Sequence, residues 1–218
     1  MHNLAIALHN LGHEVTGSDD EINSPSKERL LARGLLPEKF GWFPEKISLD
    51  LDLVILGMHA RLDNPELNKA IELGLNVQSF PEYIGKCYAG KTRVAIAGSH
   101  GKTTTTSMIA HILKANGHKF DYLIGSNIEG FDTMVSISDA PIAILEADEY
   151  LTSPLDRRAK FLHYHPDIAI ITGIAWDHIN VFPTFDDYLD TFREFIKTIP
   201  DKGHLIYYKQ DQNLANML

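Results

Sequence analysis

The sequence predicts an α/β protein built on a mainly parallel sheet, and three observations carry that prediction. Short apolar runs alternate with helix-forming stretches along the chain, the pattern of strand–helix–strand units that build parallel sheets. Residues 94–105, Val-Ala-Ile-Ala-Gly-Ser-His-Gly-Lys-Thr-Thr-Thr, pass from strand through glycine loop to helix, the setting a phosphate-binding loop requires. Two further buried-type strands, 142–145 and 168–172, each run into reactive side chains. That is where ligands bind in doubly wound sheets, beyond the carboxyl ends of the strands.

The elements divide into two blocks, 1–88 and 89–218. In the first, Asn3 to Leu11 is an apolar helix stopped by Gly12. Glu14 to Gly17 reads as a short strand ending at Ser18-Asp19-Asp20. Ser26 to Arg33 is a helix followed by Gly34, and Leu53 to Leu56 a buried strand. Pro65 to Leu73 is a helix and Asn76 to Ser79 a strand. A dinucleotide-type fold opens with a strand and a glycine loop before its first helix. The chain opens at that helix, so the block is expected to be a truncated Rossmann-like domain.

In the second block the helix after the glycine loop runs from Thr104 to Ala115. Strand 142–145 leads into Glu146-Ala-Asp-Glu-Tyr150, and strand 168–172 leads into Gly173-Ile-Ala-Trp-Asp177-His178. Tyr188 to Thr198 reads as a helix with Phe192, Phe195 and Ile196 on one face. Gly203 to Tyr208 is a further strand. The block is expected to be an incomplete domain.

Bulk properties narrow the function. The 218 residues are 44% hydrophobic and 22% charged, with formal net charge −9. This is the balance of a globular protein, and it argues against nonspecific nucleic-acid binding. No apolar run approaches the roughly 20 residues needed to span a bilayer. One cysteine, Cys87, allows no internal disulfide and fits a reducing cytoplasm.

The glycine loop is Gly98-Ser99-His100-Gly101-Lys102-Thr103-Thr104. It is shorter than Gly-x-x-x-x-Gly-Lys-[Ser/Thr], which would need a glycine where Ile96 stands. Glycines let backbone N–H groups turn toward phosphate oxygens, and the helix N-terminus adds partial positive charge. Lys102 is placed to reach the β- and γ-phosphates of ATP, and Thr103 to ligate Mg²⁺. Glu146, Asp148 and Glu149 end the next strand, and Asp177 and His178 the third. Carboxylates suit a hard cation; histidine is a less usual Mg²⁺ ligand. His163 and His165 alternate along a possible strand without completing a metal set.

Gly98-Ser-His-Gly-Lys-Thr-Thr-Thr, Glu146-Ala-Asp-Glu-Tyr and Asp177-His178, in this order and spacing, resemble the Mur ligases. These are the ATP-dependent amide-forming enzymes of peptidoglycan assembly. Gly17-Ser-Asp and Asp63-Asn-Pro-Glu66 look like the domain that binds UDP-N-acetylmuramate. The resemblance implies a missing first strand and glycine-rich loop, and an absent third, peptide-binding domain. The chain alone is then expected to be inactive. The resemblance also implies that Lys102, Glu146 and His178 are catalytic, and that Thr103, Glu146 and His178 hold cations. Residues 98–104 would bind ATP.

Several Mur ligases carry a carbamylated lysine on the helix after the Asp-His motif; Tyr188-Leu-Asp-Thr-Phe-Arg-Glu-Phe195 has none in the corresponding turn. Asp156-Arg-Arg-Ala-Lys160-Phe and Ser79-Phe-Pro-Glu-Tyr83 look more like the peptide-adding, recycling members than the alanine-adding ones. Gly173 stands where Asn is frequent, and Asn180 where Asp is common. Arg157, Arg158 and Lys160 either meet substrate anions or form a solvated basic face, and Asp19 is expected near the uridine. Two other classes remain open. A nucleotide-driven switch would not need the Glu146 and His178 strand ends together. A nucleotide-sugar binding module would tolerate loss of Lys102.

Overall fold

The computed structural model describes all 218 residues. They form two compact units, Met1–Phe80 with Ser153–Asp156, and Pro81–Thr152 with Arg157–Leu218.

In the first unit, helix α1 (His2–Asn10) buries Leu4, Ile6 and Ala7, and α2 (Ser26–Leu31) buries Leu30. Strand β1 (Val54–Leu56) pairs in parallel with β2 (Val77–Ser79), Val54 opposite Val77. Helix α3 (Pro65–Glu72) connects them. Its start is dictated locally: Pro65 suits the first helical position, and Asn64 Oδ1 accepts from the N–H groups of Glu66 and Leu67 at 2.9 and 3.0 Å. The strand expected at 14–17 does not form. Glu14, Thr16 and Gly17 are exposed, so no apolar face drives pairing there.

The second unit takes α4 (Phe80–Cys87) from its second residue on, a helix the sequence reading did not anticipate. Its core is a six-stranded sheet made of β3 (Thr92–Ala97), β4 (Asp121–Leu123), β5 (Val135–Ser136), β6 (Ile142–Glu146), β7 (Ile168–Ile171) and β8 (His204–Tyr207). The order is β5-β4-β6-β3-β7-β8. Every pairing is parallel except β4 with β5. Strand β3 is therefore held on both flanks, Thr92 opposite Ile142 and Val94 opposite Ile168. Its Ala95, Ile96 and Ala97 are fully buried, as expected for a strand covered on both faces. Helix α5 (Lys102–Ala115) packs Ala110 against Ile96, Ile124 and Ile144.

The β4–β5 edge is closed by polar ties. Lys91 Nζ donates to the carbonyls of Ser138 and Ala140 at 2.6 and 2.8 Å and lies 2.8 Å from the buried Asp121 carboxylate. The Tyr88 hydroxyl donates to Ser136 O at 2.6 Å.

Helix α6 (Phe185–Lys197) starts three residues before the expected Tyr188. Thr184 and Asp187 form a reciprocal capping box that fixes the earlier start. Its buried face is Tyr188, Phe192 and Phe195, with Ile196 only partly covered. Phe161 stacks on Phe195 at 4.4 Å and meets Phe192 edge-on at 5.4 Å. His163 ends a 3₁₀ turn (Lys160–His163), and His165 has φ 43°, so the possible strand there is not formed. A short helix, α7 (Gln212–Met217), is capped by Asp211.

Candidate active site

Three strand ends of the second unit supply the site. Strand β3 delivers the glycine loop, and the fold leaves no alternative to glycine at its first position. Gly98 has φ 121°, and a Cβ there would sit 2.3 Å from Thr172 Oγ1 and 2.9 Å from Gly173 O. Loop and β7 end are laced together. Ser99 N donates to Gly173 O at 2.9 Å, and Ala175 N donates to Ser99 Oγ at 2.9 Å. The Thr172 hydroxyl donates to His100 O at 2.6 Å. Helix α5 then opens at Lys102 with no side chain capping its first N–H groups. Such a helix end favours an anion.

Strand β6 delivers two carboxylates with separate partners. Glu146 accepts from the Thr103 hydroxyl at 2.8 Å and, through its other oxygen, from Gly125 N at 2.7 Å. A Cβ on Gly125 would lie 2.4 Å from Glu146 Oε1, so a larger residue there would have to displace the carboxylate. Glu149 is fully buried. It takes the Lys102 ammonium at 2.9 Å and the Tyr188 hydroxyl at 2.8 Å. Lys102 Nζ also donates to Gly98 O at 2.7 Å. The Tyr188 oxygen lies 2.8 Å from Ser99 Oγ, so one hydroxyl touches both loop and carboxylate. Burial, then the nearby Glu149 charge, pushes the Tyr188 phenol well above its usual range.

The end of β7 delivers His178. Its backbone is left-handed, φ 55°, a conformation costing a non-glycine residue on the order of 1 kcal/mol or more and common at functional sites. Its Nε2 lies 3.6 Å from Glu149 Oε1, and its ring meets Tyr150 edge-on at 5.2 Å. Asn180 donates to the Tyr150 hydroxyl at 2.8 Å.

The structure thus joins Thr103 to Glu146, and Lys102 and His178 to Glu149. No three His, Cys, Asp or Glu side chains gather as a metal site. Glu149 was read only as one of three candidate carboxylates at its strand end, and Tyr188 and Gly125 were not expected as site residues. Asp148, third in the same strand end, is tied to Lys160 at 2.6 Å. Burial would raise the Asp148 carboxyl, but the Lys160 charge and hydrogen bond hold it below the usual range. Arg157 and Arg158 instead line a separate cavity. His100 and Thr104 are exposed on the loop and first turn. Asp19 lies in the first unit, where its carbonyl accepts from Gly41 N at 2.8 Å. Burial and a hydrogen bond with Asp20 raise its carboxyl.

The arrangement fits a nucleotide with its metal. The loop offers backbone groups, a helix end and a cation to phosphates, and Thr103 with Glu146 offers the hard oxygen donors that Mg²⁺ prefers.

The chain is similar to known proteins along its whole length. Residues 1–92 match the Mur ligase family catalytic domain, and residues 96–218 match the Mur ligase middle domain. The chain is 31% identical over 221 residues to a UDP-N-acetylmuramate–L-alanyl-γ-D-glutamyl-meso-2,6-diaminoheptandioate ligase of Haemophilus influenzae, covering 100% of this chain and 48% of that protein. It is 38% identical over 189 residues to a UDP-N-acetylmuramate–L-alanine ligase of Lacticaseibacillus casei, covering 87% of this chain and 40% of that one. The chain spans half or less of the length of these relatives. The solved structure of the diaminopimelate-peptide ligase from Neisseria meningitidis superposes with TM-score 0.90 at 28% identity, covering 100% of this chain and 70% of that one. With both halves of the chain matched and the loop, carboxylate and histidine strand ends in place, the chain belongs to the Mur ligase family.

Proposed function

We propose that the protein carrying this chain is an ATP- and Mg²⁺-dependent amide ligase. It joins L-alanyl-γ-D-glutamyl-meso-diaminopimelate to UDP-N-acetylmuramate in the cytoplasm, in peptidoglycan recycling. The observation that supports it best is the anchoring of Lys102 and Thr103 on two different carboxylates of one strand end, Glu149 and Glu146. No helix is long and apolar enough to cross a membrane. The relatives named for the peptide substrate match the chain over its full length. The higher identity to an alanine-adding relative favours a second reading, UDP-N-acetylmuramate–L-alanine ligase.

The muramyl carboxylate takes the γ-phosphoryl group of ATP, giving an acyl phosphate and releasing ADP, and Mg²⁺ would supply positive charge at the transferring oxygens. The incoming amine then forms the amide bond and phosphate leaves. The chain's own residues position and neutralise. Residues 98–104 cradle the phosphates, and Lys102 balances negative charge that spreads over their oxygens. Thr103 and Glu146 would hold the metal, with Gly125 N fixing the carboxylate. Glu149 aims Lys102, and Tyr188 aims Glu149. His178 would help hold a second cation near the acyl phosphate. Asp19 would meet the uridine side of the substrate.

Phosphate release by the complete enzyme, with ATP, Mg²⁺ and UDP-N-acetylmuramate, tests the reading. Release with the tripeptide and not with L-alanine is the expected result; release with alanine alone selects the second reading. Lys102→Ala should lower kcat by roughly a hundredfold or more, and its melting temperature should fall because the buried Glu149 loses its ion-pair partner. Near-normal turnover in that variant would sink the assignment.

A further inference from the structure

Strand β7 loses its neighbours at Ile171. The residues opposite it are Ala97 of β3 and Tyr207 of β8, the last of each strand. From Gly173 to His178 the chain therefore runs on with no strand beside it, although it carries Asp177 and His178. Its backbone groups still need partners, and they find them on two opposite sides.

One side is the glycine loop. Gly173 O accepts from Ser99 N at 2.9 Å, and Ala175 N donates to Ser99 Oγ at 2.9 Å. The other side is the start of α7. Ile174 N donates to Asp211 Oδ2 at 2.7 Å, and Ile174 O accepts from Asn213 Nδ2 at 2.8 Å. Gly173 O and Ile174 N belong to one planar peptide unit, and Ile174 O and Ala175 N to the next. Each of the two units is thus gripped at one edge by Ser99 and at the other by Asp211 or Asn213. Neither plane can turn without breaking a bond on both sides.

The outer grip is itself anchored. The second Asp211 oxygen caps α7, accepting from Asn213 N and Leu214 N at 2.9 and 3.1 Å. Leu214 is fully buried. An ionised acceptor makes the Ile174 bond one of the strong kind. Gly173 admits the carboxylate: a Cβ there would lie 3.2 Å from Asp211 Oδ2.

We propose that Asp211 and Asn213 are positioning residues for the reaction. They hold these two peptide units from behind, and so keep Ser99 and the nucleotide loop in register with the strand end that bears His178. The proposal rests on the ligase reading above, and it adds to that reading two residues that touch neither nucleotide nor metal.

The test is calorimetric titration of the complete enzyme with Mg²⁺–ADP, using the parent, Ser99→Ala, Asp211→Ser and the double variant. Serine still caps a helix, but it is too short to reach Ile174 as well. Each single change should weaken Mg²⁺–ADP roughly tenfold. The double variant should also lose roughly tenfold, not about a hundredfold, because both changes act through the same two peptide units. Losses that multiply in the double variant overturn the proposal. So does a single variant that melts lower yet binds Mg²⁺–ADP as tightly as the parent, since that is support of the fold alone. Asn213→Ala removes one grip and leaves the Asp211 cap, so it takes the place of Asp211→Ser in the cycle if that variant does not fold. Phosphate release by the parent is read separately. A parent that binds Mg²⁺–ADP but releases no phosphate with UDP-N-acetylmuramate and either amine substrate overturns the ligase reading, while the cycle on ADP still judges the two positioning residues. A parent that binds no Mg²⁺–ADP overturns both.

Discussion

Tyr188 shows how much one atom can hold together at this site. Its hydroxyl donates to the buried Glu149 carboxylate and lies beside Ser99 of the glycine loop, while its ring packs on Phe182 and Phe192 at 5.1 and 5.2 Å. Tyr188→Phe keeps the ring and removes only the donor. A hydrogen bond to a charged group is worth about 1.5–3 kcal/mol, so urea unfolding should show a loss of about 2 kcal/mol. An unchanged midpoint would mean that Glu149 draws nothing from this hydroxyl. The residue was legible in the sequence as core, spaced with Phe192 and Phe195 along a helix, but its polar role was not. The Glu149 partner is 39 residues away, and helical periodicity says nothing about what a buried hydroxyl meets. Lys102 and Thr103 were named from the glycine loop's spacing after an apolar strand, and Glu146 was singled out from its strand-end carboxylates by the family resemblance. Gly125 was hidden for the opposite reason: its tie to Glu146 is made through space, with no motif around it.

Among the elements, those with a strong local signal were readable. Helix α5, strands β3, β6 and β7 and the helix α3 with its Asn64-Pro65 start follow from apolar runs and caps. Elements fixed by contacts distant in sequence were not. Strand β4 is three residues long and β5 two, too short for any period to register. The expected strand at 14–17 failed because propensity without a covered face does not make a ladder. The early start of α6 was readable in principle, since Thr184-x-x-Asp187 precedes the apolar pattern. Thr184→Ala removes one side of that capping box and should cost about 1 kcal/mol. Differential scanning calorimetry checks this; a melting temperature equal to the parent's would show that Asp187 caps the helix without its partner. The loss should stay small because the stacked Phe161, Phe192 and Phe195 hold the rest of the helix.

At the scale of the whole molecule, the parallel character of the second sheet was legible, and its strand order was not. Alternating strands and helices specify parallel pairing, but not that β6 and β7 lie on either side of β3. That order is what brings Glu149 and His178 to the glycine loop from opposite flanks. The same order gives the sheet two unlike margins. Beyond β4 the short β5, Tyr88 and Lys91 occupy the polar groups of the backbone. At the other margin, β8 carries Ile206 and Tyr207 at 54% and 39% exposure with one flank unpaired in the sheet. An open apolar margin is where one chain can add to another. Handling of the 218-residue chain in concentrated solution should therefore be limited from one side only. Ile206→Lys, a charge placed on that strand, should slow the growth of light scattering on storage by several-fold, with the melting temperature held within a few degrees. Equal clouding of parent and variant would place the weak point elsewhere. Shelf life, a property of the preparation, would then trace to the strand order that also assembles the site.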